Sequence, residues 1–264
     1  MFKNLVLISF ISLPLASENL LDIYNEALDN DPQYKSSEYS LLAGKEFVVQ
    51  GRAGLLPNVT LSGSTNWNEY YQFDELQSAY NNNSVTARLT QPLFRLDSWF
   101  NFKRSKKLTD ASEADFAYAQ QNLIIRTVEK YFGVLRAIDN LNAAVSEEKA
   151  IKKQLDQIQQ RFEVGLSAIT EVQEAQLAYD LSVAAKIRSE GALFNAREEL
   201  NSLIGREIFS IDSLKADIVP ENPNPTTKQE WVDIALKNNY RLQASVLRRD
   251  ASQDSARSLS LIHI

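Results

Sequence analysis

Residue types that commonly carry catalysis or bind metals are scarce in this chain. The 264 residues include no cysteine and a single histidine, His263. Thiol catalysis, disulfide bonds and Cys/His zinc sites are therefore excluded, and a histidine metal pair or a Ser-His-Asp triad within one chain is nearly so. The net charge of −6 and the dispersed basic residues argue against a nucleic-acid-binding protein. We expect a protein without enzymatic activity, cofactor or metal, whose function depends on non-covalent contacts.

The pattern most suited to a binding contact is the short segment 161–171, which separates two long helical patterns. The stretches 97–164 and 169–204 each contain no proline and only one glycine. Gly165 can adopt the left-handed conformation that ends a helix, and Thr170 offers a hydroxyl near the start of the next one. The segment therefore predicts the tip of a long antiparallel helical hairpin, with an ordinary solvated loop as the alternative.

The first helical stretch is far longer than a small domain is wide. About 68 residues in the first would make a rod of roughly 100 Å at ~1.5 Å per residue. Apolar residues recur in both at steps of three and four, the spacing of a coiled-coil seam. The predicted seam residues are Ile124, Val128, Tyr131, Leu135, Ile138, Ile151, Leu155, Ile158 and Phe162, then Leu177, Leu181, Ala184, Leu193, Ala196, Leu200 and Leu203.

The first 17 residues have the features of a secretory signal peptide. Lys3 precedes a largely apolar stretch, 5–15, and small Ala16 and Ser17 follow it, so we expect cleavage after Ser17. No later stretch has the roughly 18 apolar residues of a membrane helix, and the mature chain is expected to be exported without an anchor of that kind. Export without cysteines fits the bacterial envelope.

Residues 18–56 form a first helical segment that Pro32 should interrupt, and residues 57–96 then change in character. Apolar and polar residues alternate in two runs around an Asn-rich segment, 74–83, that we predict to be a loop. This pattern predicts a β-hairpin with one apolar and one polar face, whose arms are long enough for tilted membrane strands. The residues predicted to face lipid are Val59, Leu61, Val85, Ala87 and Leu89. Those predicted to form an aromatic girdle are Trp67, Tyr70, Tyr71 and Phe73 toward the loop, and Phe94, Trp99, Phe100 and Phe102 at the other end.

The alternative for this segment is a hairpin packed on a soluble core. A lone hairpin is unstable in lipid, because the N–H and C=O groups at its edges would lack partners. A membrane β-barrel would therefore need further strands, from other copies of the chain, from further sequence, or from both.

The last part of the chain predicts an internal repeat. Gly205 should end the second long helix, and residues 206–229 form a Pro-rich linker. With an offset of 208 residues, Ala27-Leu28-Asp29-Asn30 then aligns with Ala235-Leu236-Lys237-Asn238, and Ser37 aligns with Ser245. The second copy, 230–264, stops before a second hairpin would begin. We interpret the chain as the first half of a duplicated protein, with the helical pattern broken from Ser258.

Several segments together carry a resemblance to a known family. They are Glu18-Asn19-Leu20, Leu55-Leu56-Pro57, Leu89-Thr90-Gln91-Pro92-Leu93-Phe94, residues 141–160 and, above all, the stretch from Arg161 to Asp180. In these segments the chain resembles the TolC family of outer-membrane efflux proteins, over residues 18–257. The Arg-Phe-x-Val-Gly-Leu sequence at the tip is the most specific part of this resemblance.

The resemblance implies a homotrimer with a β-barrel in the outer membrane of a Gram-negative bacterium and a long α-helical tunnel in the periplasm. It implies an exit duct for drug efflux and type I secretion, working with a periplasmic adaptor protein and an inner-membrane efflux pump or ABC transporter. Val164, Gly165, Leu166 and Ser167 would form the adaptor-docking tip, and Thr170 and Glu171 would be associated with the gate. An Asp is more familiar in the family at the position of Glu171, and the partners of this gate acid would lie on the second repeat.

A different class of protein remains open from the sequence, namely a periplasmic coiled-coil adaptor or an envelope stalk. An adaptor would need a lipoyl-like β-domain within the helical hairpin, and no strand pattern occurs between Asp97 and Ile204.

Overall fold

The computed structural model describes residues 18–214 and 222–262, with side chains through Ser260. The predicted signal peptide, His263 and the segment 215–221 of the predicted linker lie outside the described residues. The elements are, in chain order, α1 (Leu20–Asn30), α2 (Pro32–Ala53), β1 (Asn58–Gln72), β2 (Glu75–Thr90), α3 (Leu96–Glu163), α4 (Ile169–Ile204), α5 (Lys228–Asn238) and α6 (Tyr240–Ile262). The predicted fold class, mainly helical with an antiparallel β-hairpin, is confirmed. None of the described helices has the length and hydropathy needed to cross a membrane.

The chain divides into two units. The first combines the residues up to Ser36 with Ala119–Asn224, and the second combines Ser37–Tyr118 with Pro225 and the residues after it. The 68-residue helix α3 is continuous, and it contributes its first part to the second unit and its remainder to the first.

The break between α1 and α2 follows from local chemistry. Asn19 caps α1, since its side-chain oxygen accepts hydrogen bonds from the N–H groups of Leu21 and Asp22 at 2.9 and 3.0 Å. Pro32 has no N–H to continue that helix and is instead the first residue of α2. Asp31 has an extended backbone and accepts a hydrogen bond from the N–H of Tyr34 at 3.0 Å. The predicted interruption at Pro32 is confirmed.

The core of the first unit lies where α1 packs against α3 and α4. Ile23 and Ala27 of α1 are fully buried. The other buried members of this cluster are Leu123, Tyr131, Val134 and Ala137 of α3, Leu193, Leu200, Leu203 and Ile204 of α4, and Ile208 beyond it. Removing these side chains from water at about 25 cal/mol per Å² is the main stabilisation of this unit.

The predicted coiled-coil seam is only partly correct. On α3 the buried positions include Leu123 and Thr127, whereas Ile124 is 48% exposed. On α4, Ala175 and Ser182 are buried, whereas the predicted seam residues Leu177 and Leu181, like Ala184, are exposed. Phe162 is also exposed. Apolar residues occupy more than one side of both helices, so the spacing alone did not identify which side packs inside the first unit.

In the second unit, α2 approaches α3 very closely at two glycines. A Cβ atom built on Gly44 would lie 2.3 Å from the hydroxyl oxygen of Ser112, and one on Gly51 would lie 2.4 Å from that of Ser105. Close helix approach therefore depends on glycine at these two positions.

We expect Gly44→Ala to destabilise the protein by about 1–3 kcal/mol, because the added methyl group overlaps Ser112. The matched control is Gly133→Ala, since a Cβ there meets nothing within 4 Å. That change should be neutral or stabilise the helix by up to about 1 kcal/mol. Denaturant unfolding of the full-length variants measures both, and equal midpoints for the two variants would contradict the close contact.

A buried ion pair joins α6 to α3 in the same unit. The ammonium of Lys107 lies 2.8 Å from Asp254, whose side chain is 2% exposed. The ammonium of Lys107 is the main cause of the lowered pKa of Asp254. Ser258 donates a hydrogen bond to the carbonyl of Asp97 at 3.1 Å, and α6 continues to Ile262. The predicted break of the helical pattern at Ser258 is therefore wrong, since Ser258 is buried against α3 and the helix continues beyond it.

The hairpin pairs β1 with β2 from Asn58↔Thr90 to Gln72↔Glu75. Phe73 and Asp74 form the turn, with φ angles of +54° and +63°, as a type I′ turn requires at both central positions. The predicted loop at 74–83 is therefore wrong, because all of these residues except Asp74 belong to β2. Cross-strand polar contacts help the pairing through this Asn-rich stretch, as in the 2.8 Å hydrogen bond from Thr65 to Asn81.

The turn residues predict a stabilising double substitution. Phe73→Asn with Asp74→Gly should stabilise the hairpin by about 1–2 kcal/mol, because both new residues tolerate a positive φ better. The control is Asn82→Gly, at a position inside β2 and opposite Asn66. This change should destabilise the hairpin by about 0.5–1 kcal/mol. Unfolding titrations would show this contrast; a destabilising double substitution would be inconsistent with the turn.

The predicted internal repeat has a structural counterpart. Helices α1 and α5 both contain 11 residues, and their bounds differ by the same 208 residues as the sequence match. Asn19 caps α1 and Thr227 caps α5 through side-chain oxygens. The starts of α2 and α6, Pro32 and Tyr240, are also separated by 208 residues. This correspondence supports a tandem duplication.

Candidate functional site

The segment 161–171 forms a tight connection between the two longest helices. Gly165 has a φ of +76° and donates a hydrogen bond from its N–H to the carbonyl of Phe162 at 2.9 Å. The N–H of Leu166 bonds the carbonyl of Arg161 at 2.8 Å. These two bonds form a Schellman motif, in which a left-handed glycine terminates a helix. The conformation predicted for Gly165 is confirmed.

The start of α4 uses different side chains from those expected. Ala168 occupies the cap position without a side-chain hydrogen bond, and Thr170 is the second residue of the helix. The hydroxyl of Ser167 instead donates a hydrogen bond to the carboxylate of Glu171. A carboxylate in the first turn also interacts favourably with the helix dipole. The hydrogen bond between Ser167 and Glu171 therefore stabilises the connection between the two helices. The sequence did not predict this role, although the four-residue spacing of the two residues is visible in it.

Apolar side chains at this tip are turned to solvent. Val164 is 69% exposed and Leu166 is 70% exposed, and Phe162 and Ile169 beside them are also exposed. A Cβ on Gly165 would meet nothing within 4 Å. The tip thus presents bare backbone at the glycine between two apolar side chains, and this surface is available to a partner.

The β-hairpin has the predicted two faces. Val59 lies opposite Leu89, and Leu61 lies opposite Ala87, so these four side chains share one face with Val85. Val59, Leu61, Val85 and Leu89 are each 70–80% exposed. The opposite face is mainly Ser, Thr and Asn, with Ser64 and Ser84 hydrogen-bonded at 2.8 Å. The structure therefore places the predicted lipid-facing residues together on one side, uncovered by the described part of the chain.

The predicted girdle residues do not all share that face. Trp67 and Tyr71 lie on the apolar side, whereas Tyr70, paired with Ser78, lies on the polar side. Trp67 and Tyr71 both donate hydrogen bonds to Glu69, at 3.1 and 2.7 Å. The sequence interpretation missed Glu69, although alternation along a strand places it between these two aromatic residues.

At the other end of the hairpin, Phe94 is 82% exposed and Trp99 is 45% exposed. Trp99 lies in the first turn of α3, where the ammonium of Lys103 is 5.7 Å from its ring centroid. Phe73, at the turn, is almost fully exposed. Exposed aromatic side chains thus occur near both ends of the hairpin.

Residues 23–206 match the family described as outer membrane efflux protein. The chain belongs to the outer membrane efflux protein family. It is 32% identical over 254 residues to the outer membrane protein TolC of Vibrio cholerae, a match that covers 96% of this chain and 57% of that protein. The alkaline protease secretion protein AprF of Pseudomonas aeruginosa is 29% identical over 252 residues, covering 90% of this chain and 52% of that protein.

The fold agrees with solved members of this class. The Campylobacter jejuni CmeC outer membrane channel superposes with a TM-score of 0.74 at 19% sequence identity, covering 92% of this chain and 52% of that one. The chain spans about half the length of the relatives and structures that it matches. The expected family is thus confirmed.

In the first unit, polar contacts hold the residues next to α1 and α4 in place. The backbone of Glu18 pairs with the segment 210–212 through hydrogen bonds of 3.2 and 3.0 Å. The buried hydroxyl of Tyr131 donates to the carbonyl of Asp212 at 2.8 Å, and burial raises its pKa. Arg206 bonds the carboxylates of Glu18 and Glu26 at 2.8 and 2.7 Å. Hydrogen bonds to these two carboxylates raise the pKa of Arg206.

A buried ion pair lies in the same unit. The guanidinium of Arg126 on α3 bonds the carboxylate of Asp31, which is almost fully buried. Removing one partner would leave the other charge buried, so the pair constrains where α1 meets α3. These groups have structural roles, and the described residues contain no cluster of His, Asp and Glu suited to a metal ion.

Proposed function

We propose that this chain is part of an outer-membrane channel that serves as the exit duct for drug efflux and type I secretion. One observation carries the proposal: the same chain bears a hairpin with an exposed apolar face and a 68-residue helix that ends in an exposed apolar tip. A membrane-inserted hairpin and a periplasmic docking tip are the two parts that such a duct requires.

The hairpin supplies strands of the proposed β-barrel. Its apolar face, with Val59, Leu61, Val85 and Leu89 strongly exposed, is unfavourable in water and suited to lipid. The described sheet has two strands, so both edges need partners within a membrane. We propose that three copies of the full-length protein complete the barrel, each contributing this hairpin and its repeat counterpart. The polar face then lines the lumen.

The tip supplies the contact to a periplasmic adaptor. Val164 and Leu166 are apolar side chains on an exposed connection, and Gly165 leaves the backbone between them accessible. An apolar anchor beside bare backbone suits insertion into a groove of a helical partner. The hydrogen bond between Ser167 and Glu171 holds the segment in one shape, which reduces the entropy lost on docking. We also propose that Thr170 and Glu171 take part in a gate contact to the second repeat.

The duct itself performs no chemistry, and its partners supply the energy. An inner-membrane efflux pump or ABC transporter delivers the substrate, and the adaptor joins it to the tip. The Pseudomonas relative is an alkaline protease secretion protein, which supports secreted proteins as substrates beside small molecules. A periplasmic adaptor or stalk would leave the apolar face of the hairpin without a function.

The test uses full-length protein carrying both repeats. We expect it to fractionate with the outer membrane and to give stable, uniform conductance steps in planar lipid bilayers. The control replaces residues 58–90 with a short Gly/Ser linker, which should abolish both results. A full-length protein that stays in the soluble periplasmic fraction and never conducts would contradict the proposed function.

A further inference from the structure

The polar face of the hairpin contains one cationic side chain. This face runs from Asn58 and Thr90 at the base to Gln72 and Glu75 beside the turn, and only Arg88 and Glu75 on it are charged. Arg88 is opposite Thr60, in the third cross-strand pair from the base. The cation is therefore near the base of the hairpin, and the carboxylate is at the opposite end.

Arg88 makes no ion pair that would neutralise it. The hydrogen bond found at this residue involves its backbone carbonyl, which accepts from the hydroxyl of Thr60 at 3.5 Å. Among residues 18–214 and 222–262, no carboxylate oxygen lies within 4.0 Å of its guanidinium nitrogens. The side chain is exposed and is surrounded on its face by neutral polar groups. Its charge is thus free to act on the space that this face lines.

We propose that Arg88 is a charge-selectivity residue of the channel, which favours small anions and anionic solutes at the base of the barrel lumen. This inference rests on the proposed function, which turns the polar face toward the lumen. Three copies place three guanidinium groups at one height, and rings of like charge select permeating ions by sign.

Coulomb's law sets the size of the effect. Three charges each at roughly 10 Å from a permeating ion, screened over ~10 Å at 0.1 M salt, enrich anions about twofold and deplete cations by a similar factor. The ratio of anion to cation permeability at this ring therefore changes about fourfold when the charge is removed. At 1 M salt the screening length falls to ~3 Å and the difference should vanish.

The experiment measures reversal potentials of the full-length protein in planar bilayers under a KCl gradient near 0.1 M. Arg88→Ala should lower the permeability ratio of chloride to potassium about fourfold, and Arg88→Glu should lower it further. Arg88→Lys keeps the charge and should retain the wild-type ratio, which separates selectivity from folding. Thr86→Ala, on the same face and without a change of charge, is the matched control and should also retain it.

The outcomes distinguish a failure of the selectivity role of Arg88 from a failure of the proposed channel function. Conducting variants at Arg88 with unchanged reversal potentials would overturn the selectivity role while leaving the channel intact. Failure of the wild-type full-length protein to conduct would instead overturn the proposed function, and the selectivity role with it. A shift that persists undiminished at 1 M salt would also count against a ring of charges as its cause.

Discussion

Replacing Gly165 by arginine or Leu166 by aspartate is expected to abolish efflux-dependent drug tolerance in the full-length protein. At Gly165, with a φ of +76°, a side chain costs on the order of 1–2 kcal/mol and also covers the bare backbone of the tip. At Leu166, 70% exposed, a carboxylate would replace the apolar side chain that enters a partner groove. Tolerance should fall to that of a strain lacking the protein.

Trimers of both variants should still form and insert, because neither residue contributes to the hairpin or to the buried core of the first unit. Drug-susceptibility assays, immunoblots of outer-membrane trimer and crosslinks to the adaptor measure the three properties separately. Gly165→Asn is the control for strain, since asparagine tolerates the left-handed conformation and adds no charge. It should retain most of the tolerance. Normal crosslinking and full tolerance in the arginine and aspartate variants would disprove the docking role.

The second large effect is expected on the apolar face of the hairpin. An arginine at Leu61 or Leu89 should destabilise the membrane-inserted protein by about 2–4 kcal/mol if the site is near the bilayer midplane. Both side chains are at least 70% exposed on the face proposed to contact lipid. A guanidinium there loses its hydration without gaining a partner. Folding titrations of the full-length protein into lipid bilayers measure the loss.

Matched controls lie nearby on the other face. Ser62 and Thr86 are directly opposite each other in the register, and arginine at either should cost far less, because it projects into the proposed aqueous lumen. We expect arginine on the apolar face to destabilise the membrane-inserted protein far more than arginine on the polar face. Equal losses for Leu61→Arg and Ser62→Arg would mean that the hairpin packs in a soluble core instead.

Local constraints on the backbone made several features predictable from sequence. Pro32 cannot donate the hydrogen bond that would continue α1. Gly165 and Gly205 adopt the left-handed conformation at helix ends. The alternation through Val59 and Leu61 identified one face of the hairpin, because successive strand residues point to opposite sides. Each of these signals depends on a few adjacent residues and on no distant contact.

Part of the tip was predictable for the same reason. The left-handed glycine at Gly165 was visible in the sequence, and the absence of proline on either side predicted the long helices. The hydrogen bond from Ser167 to Glu171 was not predicted, because either side chain could equally have bonded water. The docking roles of Val164 and Leu166 are proposals, and the Leu166→Asp variant described above tests the second of them.

By itself the sequence determined the helix breaks at Pro32, Gly165 and Gly205, which strand residues share a face, and the offset of the repeat. Only the tertiary structure decided which side of α3 is buried, since Leu123 and Ile124 are equally apolar and the position of α1 chooses between them. It also decided the turn at Phe73 and Asp74, because strand pairing extends through asparagines whose own propensity disfavours a strand. The close approach at Gly44 likewise required the opposing Ser112. Side chains that are distant in sequence decide which of several equally suited positions is buried or forms the turn. No short stretch of the chain contains that information.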